Sequence, residues 1–191
     1  MNMKKCIFGL WRCAVANLMY LRASDKIKSD IEADIEGYLQ PDGNVYKGRL
    51  MRLDGLLLSG DRTFRNVFYY RFRGHRRLCS LSRIFIPDIK EIELYGEFGG
   101  GLHLSHNHMV VHTVKAGKNL HIDAGVVVGK NNGGYPTIGD NVVIEANATV
   151  IGGIEIGDNT VIKAGSVVTK SLEANSVYAG NPARLVEAVD K

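Results

Sequence analysis

The chain has little cysteine, no long apolar run and no strong charge of either sign. Its three cysteines, Cys6, Cys13 and Cys79, are odd in number and widely spread along 191 residues. They form neither a disulfide framework nor a zinc-ligand set, which fits a reducing cytoplasm. The most apolar stretch, Cys6–Leu21, is interrupted by Arg12 and is too short to span a bilayer. No small-residue cleavage site follows it, so it reads as a buried or interface helix rather than a signal peptide. Trp11 and the flanking lysines leave peripheral membrane contact as a weaker reading. A formal net charge of +4 is mild. It points to a solvated basic surface, with an anionic ligand such as a nucleotide phosphate as the second reading. Apolar residues make up 45% of the chain, enough for a real core and against global disorder. The length suits one domain, or one with an appendage.

What is present is a repeat. An aliphatic residue returns every sixth position at Phe98, Leu104, Val110, Ala116, Ile122 and Val128, then at Ile138, Ile144, Val150, Ile156, Ile162 and Val168. Small or acidic residues follow most of them, as at Gly99, Ser105, Gly117, Asp123, Gly139, Glu145 and Gly157. A second apolar or small residue sits four places on, as at Val142, Ala148, Ile154, Thr160 and Ser166. Neither a helix nor a simple strand has that period. It is the pattern of a parallel β-helix, whose short strands bury their apolar sides only by stacking coil on coil. The register breaks once: Val128 to Ile138 is ten positions, so Gly129–Thr137 carries four extra residues of turn chemistry. A loop leaving a rigid solenoid is a good place for a binding element, and equally an inert insertion.

Before the repeat the pattern is helical. Residues 1–22 carry an apolar stripe of Ile7, Leu10, Trp11, Val15 and Leu18. Ser24 is a candidate cap for a helix over Asp25–Leu39, closed by Pro41-Asp42-Gly43. An apolar patch follows at Leu56–Leu58. Phe64, Phe68 and Phe72 then share one face of a helix over Asp61–Arg73, which Gly74 ends. Arg71, Arg73, Arg76 and Arg77 lie among aromatics, but no nucleic-acid motif surrounds them, and basic residues near a helix end suit its dipole. Ser80–Glu97 reads as a connector. The expected architecture is mainly β: a helical region over 1–84 and a β-helix over 85–191.

Five of the six histidines fall between His103 and His121. His108 occupies a fourth-after-aliphatic slot and so breaks the core rule. His106 and His112 sit two places after an aliphatic and should face outward. His103 and His121 are eighteen residues apart, one three-sided coil, and should stack. Three readings compete: a general base with a pKa near neutrality, a zinc site, or a stacked polar surface with one hydrogen-bonded interior histidine. The five-residue offset of His103 and His108 carries the zinc reading, which resembles the zinc-dependent carbonic anhydrases built on such helices. Its upstream histidine would have to be His75, in the helical region, and no carboxylate pattern supports it.

Several segments are similar to the serine acetyltransferase branch of the hexapeptide acyltransferases. They are Phe98-Gly-Gly-Gly-Leu-His-Leu-Ser-His106, Gly125-Val-Val-Val-Gly129, Pro136-Thr-Ile-Gly-Asp-Asn-Val142 and Ile162-Lys-Ala-Gly-Ser-Val-Val-Thr-Lys170. The stretch Asn175-Ser-Val-Tyr-Ala-Gly-Asn-Pro-Ala-Arg184 resembles the one that closes those β-helices. The resemblance covers about residues 85–186 and implies a left-handed β-helix and an acetyl-CoA-dependent O-acetyltransferase. It also implies a cytoplasmic homotrimer with active sites in grooves between neighbouring β-helices. Pairing of trimers is left open, and no metal, nucleic acid or integral membrane segment is expected.

By that resemblance His106 is the general base on the acceptor hydroxyl. Gly129 and Lys130 fall at the CoA groove, and Ala164 and Gly165 on its pantetheine-lining segment. Lys163, Lys170 and Arg184 are phosphate partners by charge alone. Ser105, His108 and Tyr135 are assigned to the acceptor. The family's Asp-His is Ser105-His106 here, so an acid must come from elsewhere, and Glu91 falls where a second family acid would. The family's Arg-His-Pro is Gly134-Tyr135-Pro136. Only seven residues follow Arg184, so the long tail that engages cysteine synthase is expected to be absent. These departures loosen the claim on L-serine and leave a surface-polysaccharide or nucleotide-linked sugar as the alternative acceptor. A zinc enzyme and a non-catalytic β-helical subunit are the alternatives of another class.

Overall fold

A computed structural model describes residues 11–39, 48–60, 62–131 and 133–188. Cys6, Ile7, Leu10 and the Pro41-Asp42-Gly43 turn lie outside the described residues. The chain forms two compact units, Met1–Ile89 and Lys90–Lys191.

The first unit is helical: a 3₁₀ turn at Trp11–Cys13, then α1 (Ala14–Leu21), α2 (Asp25–Tyr38), α3 (Arg49–Leu57), α4 (Thr63–Arg71) and α5 (Arg76–Phe85). Ser24 caps α2 as expected, its Oγ accepting from the Ile27 N–H at 3.4 Å. Phe64, Phe68 and Phe72 are all buried, with Phe68 and Phe72 ring centres 4.9 Å apart. Where the sequence reads as a connector from Ser80, the structure has most of α5. The disguise is chemical, because α5 buries Cys79 and Ser82 instead of large apolar side chains. Ser82 is fully buried yet satisfied, since the Tyr69 hydroxyl lies 2.9 Å from its Oγ and 2.8 Å from the Ile86 carbonyl.

Arg71 is spent inside this unit. Its guanidinium donates to both oxygens of Asp34, Nε and Nη2 each at 2.8 Å, with both residues buried. Burial alone would lower the pKa of Arg71, but its hydrogen bonds to Asp34 and the Asp34 charge outweigh that and raise it. Burial, reinforced by the nearby Asp54 carboxylate, pushes the Cys13 thiol up to about 12, so this free cysteine is an inert one.

The second unit is a solenoid of about five turns, built from parallel strands. Its strands are β1 (Ile92–Phe98), β2 (His103–Leu104), β3 (Met109–Ala116), β4 (His121–Ile122), β5 (Val127–Gly129), β6 (Thr137–Ile138) and β7 (Val143–Ile144). Then come β8 (Thr149–Ile151), β9 (Glu155–Ile156), β10 (Val161–Ile162), β11 (Val167–Val168), β12 (Ser176–Ala179) and β13 (Arg184–Ala188). The repeat becomes three inward columns. One stacks Leu104, Ile122, Ile144 and Ile162. The next stacks Val111, Val128, Val150 and Val168. The third stacks Phe98, Ala116, Ile138 and Ile156. Burying each large aliphatic contributes roughly 1.5–3 kcal/mol. β13 returns antiparallel against β12 and covers the last rung.

The structure corrects the register at one place. Val110 is 36% exposed, and Val111 and Met109 take the inward positions instead. The turn after Leu104 holds four residues, Ser105–His108, where the turn after Ile122 holds three, Asp123–Gly125. The extra residue pushes His108 out of the interior slot and onto the surface. Register returns by Ala116 because β3 runs straight through a corner, reaching it five positions after Val111 rather than six. In the coil below, the same corner carries the Gly129–Thr137 loop. The third corner holds a polar ladder. Side-chain amides link Asn119 to Asn141, Asn141 to Asn159 and Asn159 to Asn175 at 2.8–2.9 Å, all four with positive φ.

Candidate functional site

The residues singled out from the sequence fall mainly on two edges of the solenoid. The first edge is the stack of turns Ser105–His108, Asp123–Gly125, Glu145–Asn147 and Lys163–Gly165. It therefore brings Ser105, His106 and His108 into line with Ala164 and Gly165. His106 and His108 both adopt positive φ, 71° and 58°, in the lengthened turn, and both side chains are exposed. Left-handed backbone at two histidines in one turn is uncommon and turns their rings outward. Two coils below, Glu145 accepts from the Ala164 N–H at 3.0 Å and pairs with Lys163 Nζ at 2.7 Å. Lys163 is thereby partnered at this edge.

Ser105 is not idle. Its Oγ lies 3.1 Å from His121 Nε2, which is itself 3.0 Å from Asp123 Oδ1. On the other side of the ring, His121 Nδ1 meets His103 Nδ1 at 2.9 Å. His103 and His121 stack in register, as their eighteen-residue spacing predicts. The Asp123 carboxylate beside Nε2 favours the tautomer with its hydrogen there, and that single N–H points between Asp123 Oδ1 and Ser105 Oγ. Sequence reasoning missed this role for Asp123, because a contact to Ser105 in the preceding coil passes through a third residue. Glu91, the expected acid, is exposed, and its carbonyl accepts from the Met109 N–H at 3.1 Å. Among the described residues no hydrogen bond or ion pair joins its carboxylate to His106.

The second edge carries Gly129, Lys130 and Tyr135, with Lys170 two coils below. The loop folds down over Gly152 and Gly153. A Cβ on Gly153 would lie 2.1 Å from the Gly133 carbonyl oxygen, so the position demands glycine. The Pro136 carbonyl is held by the Val114 N–H at 2.9 Å and Thr113 Oγ1 at 2.6 Å, which sets the direction of Tyr135. Tyr135 meets Tyr95 and His112, and Tyr95 went unnoticed because β1 reads as a connector. Lys170 and Arg184 line one groove of about 250 Å³ with Thr169, Pro182 and Ala183. Among the described residues, no three His, Cys, Asp or Glu side chains are grouped to hold a metal ion. No helix among them is long and apolar enough to cross a membrane.

Residues 135–170 match the bacterial transferase hexapeptide family (six repeats). The chain is 29% identical over 175 residues to serine acetyltransferase 4 of Arabidopsis thaliana, covering 86% of this chain and 49% of that protein. It thus spans about half the length of that relative. The crystal structure of Neisseria gonorrhoeae serine acetyltransferase superposes with a TM-score of 0.67 at 26% identity, covering 91% of this chain and 70% of that one. A structure of the Neisseria gonorrhoeae protein in complex with serine superposes with a TM-score of 0.61 at 28% identity, covering 84% and 69%. Repeat, solenoid and relatives together fit a hexapeptide-repeat protein similar to the serine acetyltransferases.

Proposed function

We propose that the chain is an O-acetyltransferase that moves acetyl from acetyl-CoA to a hydroxyl of a small acceptor, with His106 as general base. The observation that carries this reading is His106 itself. It matches the family's catalytic histidine and is presented, exposed and with left-handed backbone, on a turn lengthened by one residue. The imidazole takes the hydroxyl proton as the acceptor oxygen attacks the thioester carbon. The carbon–sulfur bond breaks, and the imidazolium returns the proton to the leaving thiolate. Ser105 stands where the family has aspartate, beside His121 Nε2, which Asp123 also contacts. Ala164 and Gly165 give the pantetheine arm a flat edge, and Lys170 and Arg184 supply charge for phosphates in their shared groove.

A groove containing both edges forms when the first edge of one copy meets the second edge of another. A homotrimer is therefore the proposed working state. Dependence on acetyl-CoA and the free thiols Cys13 and Cys79 fit the cytoplasm. The relatives act on serine by name, so L-serine heads the acceptor panel, followed by nucleotide-linked sugars. Thiol detection should show CoA release that depends on the acceptor. His106→Ala should abolish that release while the assembly, read by light scattering, persists. Normal turnover by this variant would overturn the mechanism.

A further inference from the structure

We propose that Tyr95, His112 and Tyr135 form a platform for a pyranose ring, so that the acetylated hydroxyl belongs to a sugar. This rests on the acetyl-transfer reading and names its acceptor class. Between residues 90 and 191 there are four aromatic residues, Tyr95, Phe98, Tyr135 and Tyr178. Phe98 and Tyr178 are buried, at 5% and 9% exposure. The other two meet on the outside of the second edge, together with an imidazole.

The three rings form a nearly equilateral triangle. Centres lie 5.7 Å apart for Tyr95 and His112, 6.3 Å for Tyr95 and Tyr135, and 6.2 Å for His112 and Tyr135, all mutually tilted. No two rings stack face to face, and Tyr95 remains 64% exposed. The backbone is built around this arrangement. Tyr95 and His112 are direct cross-strand partners, and β1 carries a bulge immediately after Tyr95. Gly96 makes the bulge with φ 120°, where a Cβ would lie 2.1 Å from the Thr113 carbonyl oxygen. Thr113 is also the residue whose hydroxyl fixes Pro136, next to Tyr135. One residue thus positions both tyrosines.

The rim is polar. Glu93 Oε2 lies 3.5 Å from His112 Nε2, and Lys130 Nζ stands 5.7 Å from the Tyr135 ring centre. A pyranose has one apolar C–H face and a belt of hydroxyls. Rings cover the face, while a carboxylate, an ammonium and two phenols reach the belt. L-serine offers no such face. The histidine of the family's Arg-His-Pro, which helps hold serine there, is replaced here by Tyr135.

The test uses the full-length assembled protein and saturation-transfer NMR with UDP-N-acetylglucosamine, UDP-glucose, UDP-galactose, UDP, CoA and L-serine. Pyranose ring protons of at least one nucleotide sugar should receive saturation. The signal should vanish in Tyr95→Ala and return in Tyr95→Phe. Acetyl transfer to that sugar should show KM raised roughly tenfold in Tyr95→Ala, with kcat little changed. Saturation confined to uracil or adenine protons overturns the proposal in favour of a nucleotide platform. So does an absence of pyranose saturation with all three sugars, or efficient serine acetylation unaltered by Tyr95→Ala. Failure of acetyl transfer with every acceptor, with pyranose saturation intact, would count instead against the transferase reading.

Discussion

In the helical unit each core contact is made once, whereas in the β-helix each is one copy of a contact repeated down a column. Among the described residues, Arg71 with Asp34, and Tyr69 with Ser82 and Ile86, have no counterparts elsewhere in the helices. In the solenoid, Ile122, Ile144 and Ile162 perform the same task one rung apart. Its buried polar groups are small hydroxyls bonded to nearby backbone, such as Thr160 to the Gly157 carbonyl at 2.7 Å. The consequence concerns tolerance. A column can lose one methyl without losing its logic, but a unique buried ion pair has no second copy. The proposed chemistry collects where the repeat is interrupted, at the lengthened turn of His106 and at the Gly129–Thr137 loop.

The largest expected effect is on chemistry at the first interruption. His106→Ala should lower turnover by about 10²–10⁴-fold while the melting temperature holds, because the side chain is exposed. A parallel loss of stability would mean that the turn is structural. Next comes the unique contact of the helical unit. Arg71→Ala should cost about 3–5 kcal/mol by removing the guanidinium that holds both oxygens of the buried Asp34 carboxylate. Arg71→Met combined with Asp34→Leu should recover most of that in urea titration, and no recovery would show that the pair is more than mutual compensation. Ile144→Val in the repeated column should cost only about 0.5–1.5 kcal/mol. A cost matching that of Arg71→Ala would erase the contrast between the two units.

The smallest effect is a pH dependence in the helical unit. Burial raises the pKa of Asp54, against hydrogen bonds from Asn17 and Cys13 that lower it. A carboxyl with a folded pKa above its unfolded one favours folding while protonated, and that contribution is lost as pH rises through the folded value. Asp54→Asn should therefore gain on the parent protein in melting temperature between pH 4 and pH 7.5. A constant difference across that range would argue against the raised pKa.

Legibility followed the same divide. Eleven of the twelve repeat positions point inward, and only Val110 fails, because one extra residue in the Ser105–His108 turn shifts the alternation by one. In the helical unit the Phe64, Phe68, Phe72 spacing and the Ser24 cap were readable. Helix α5 was not, since Cys79 and Ser82 on its buried face hide the apolar period. In the second unit, the outward placement of His106, the loop and the stacking of His103 on His121 could be read from spacing. Asp123 and Tyr95 could not: the first acts through His121 and Ser105, and the second matters only once β1 pairs with β3.

By itself the sequence determined the solenoid, because a six-residue period has one way to bury its aliphatics and every coil votes for the same register. It also marked one break in that register, at Gly129–Thr137, but not the extra residue of the Ser105–His108 turn. Tertiary structure alone decided which residues meet at those breaks. A one-residue insertion, a bulge at Gly96 and a strand running straight through a corner are single local events that no period encodes. They nonetheless set the turn that presents His106 and gather Tyr95, His112 and Tyr135 on one edge.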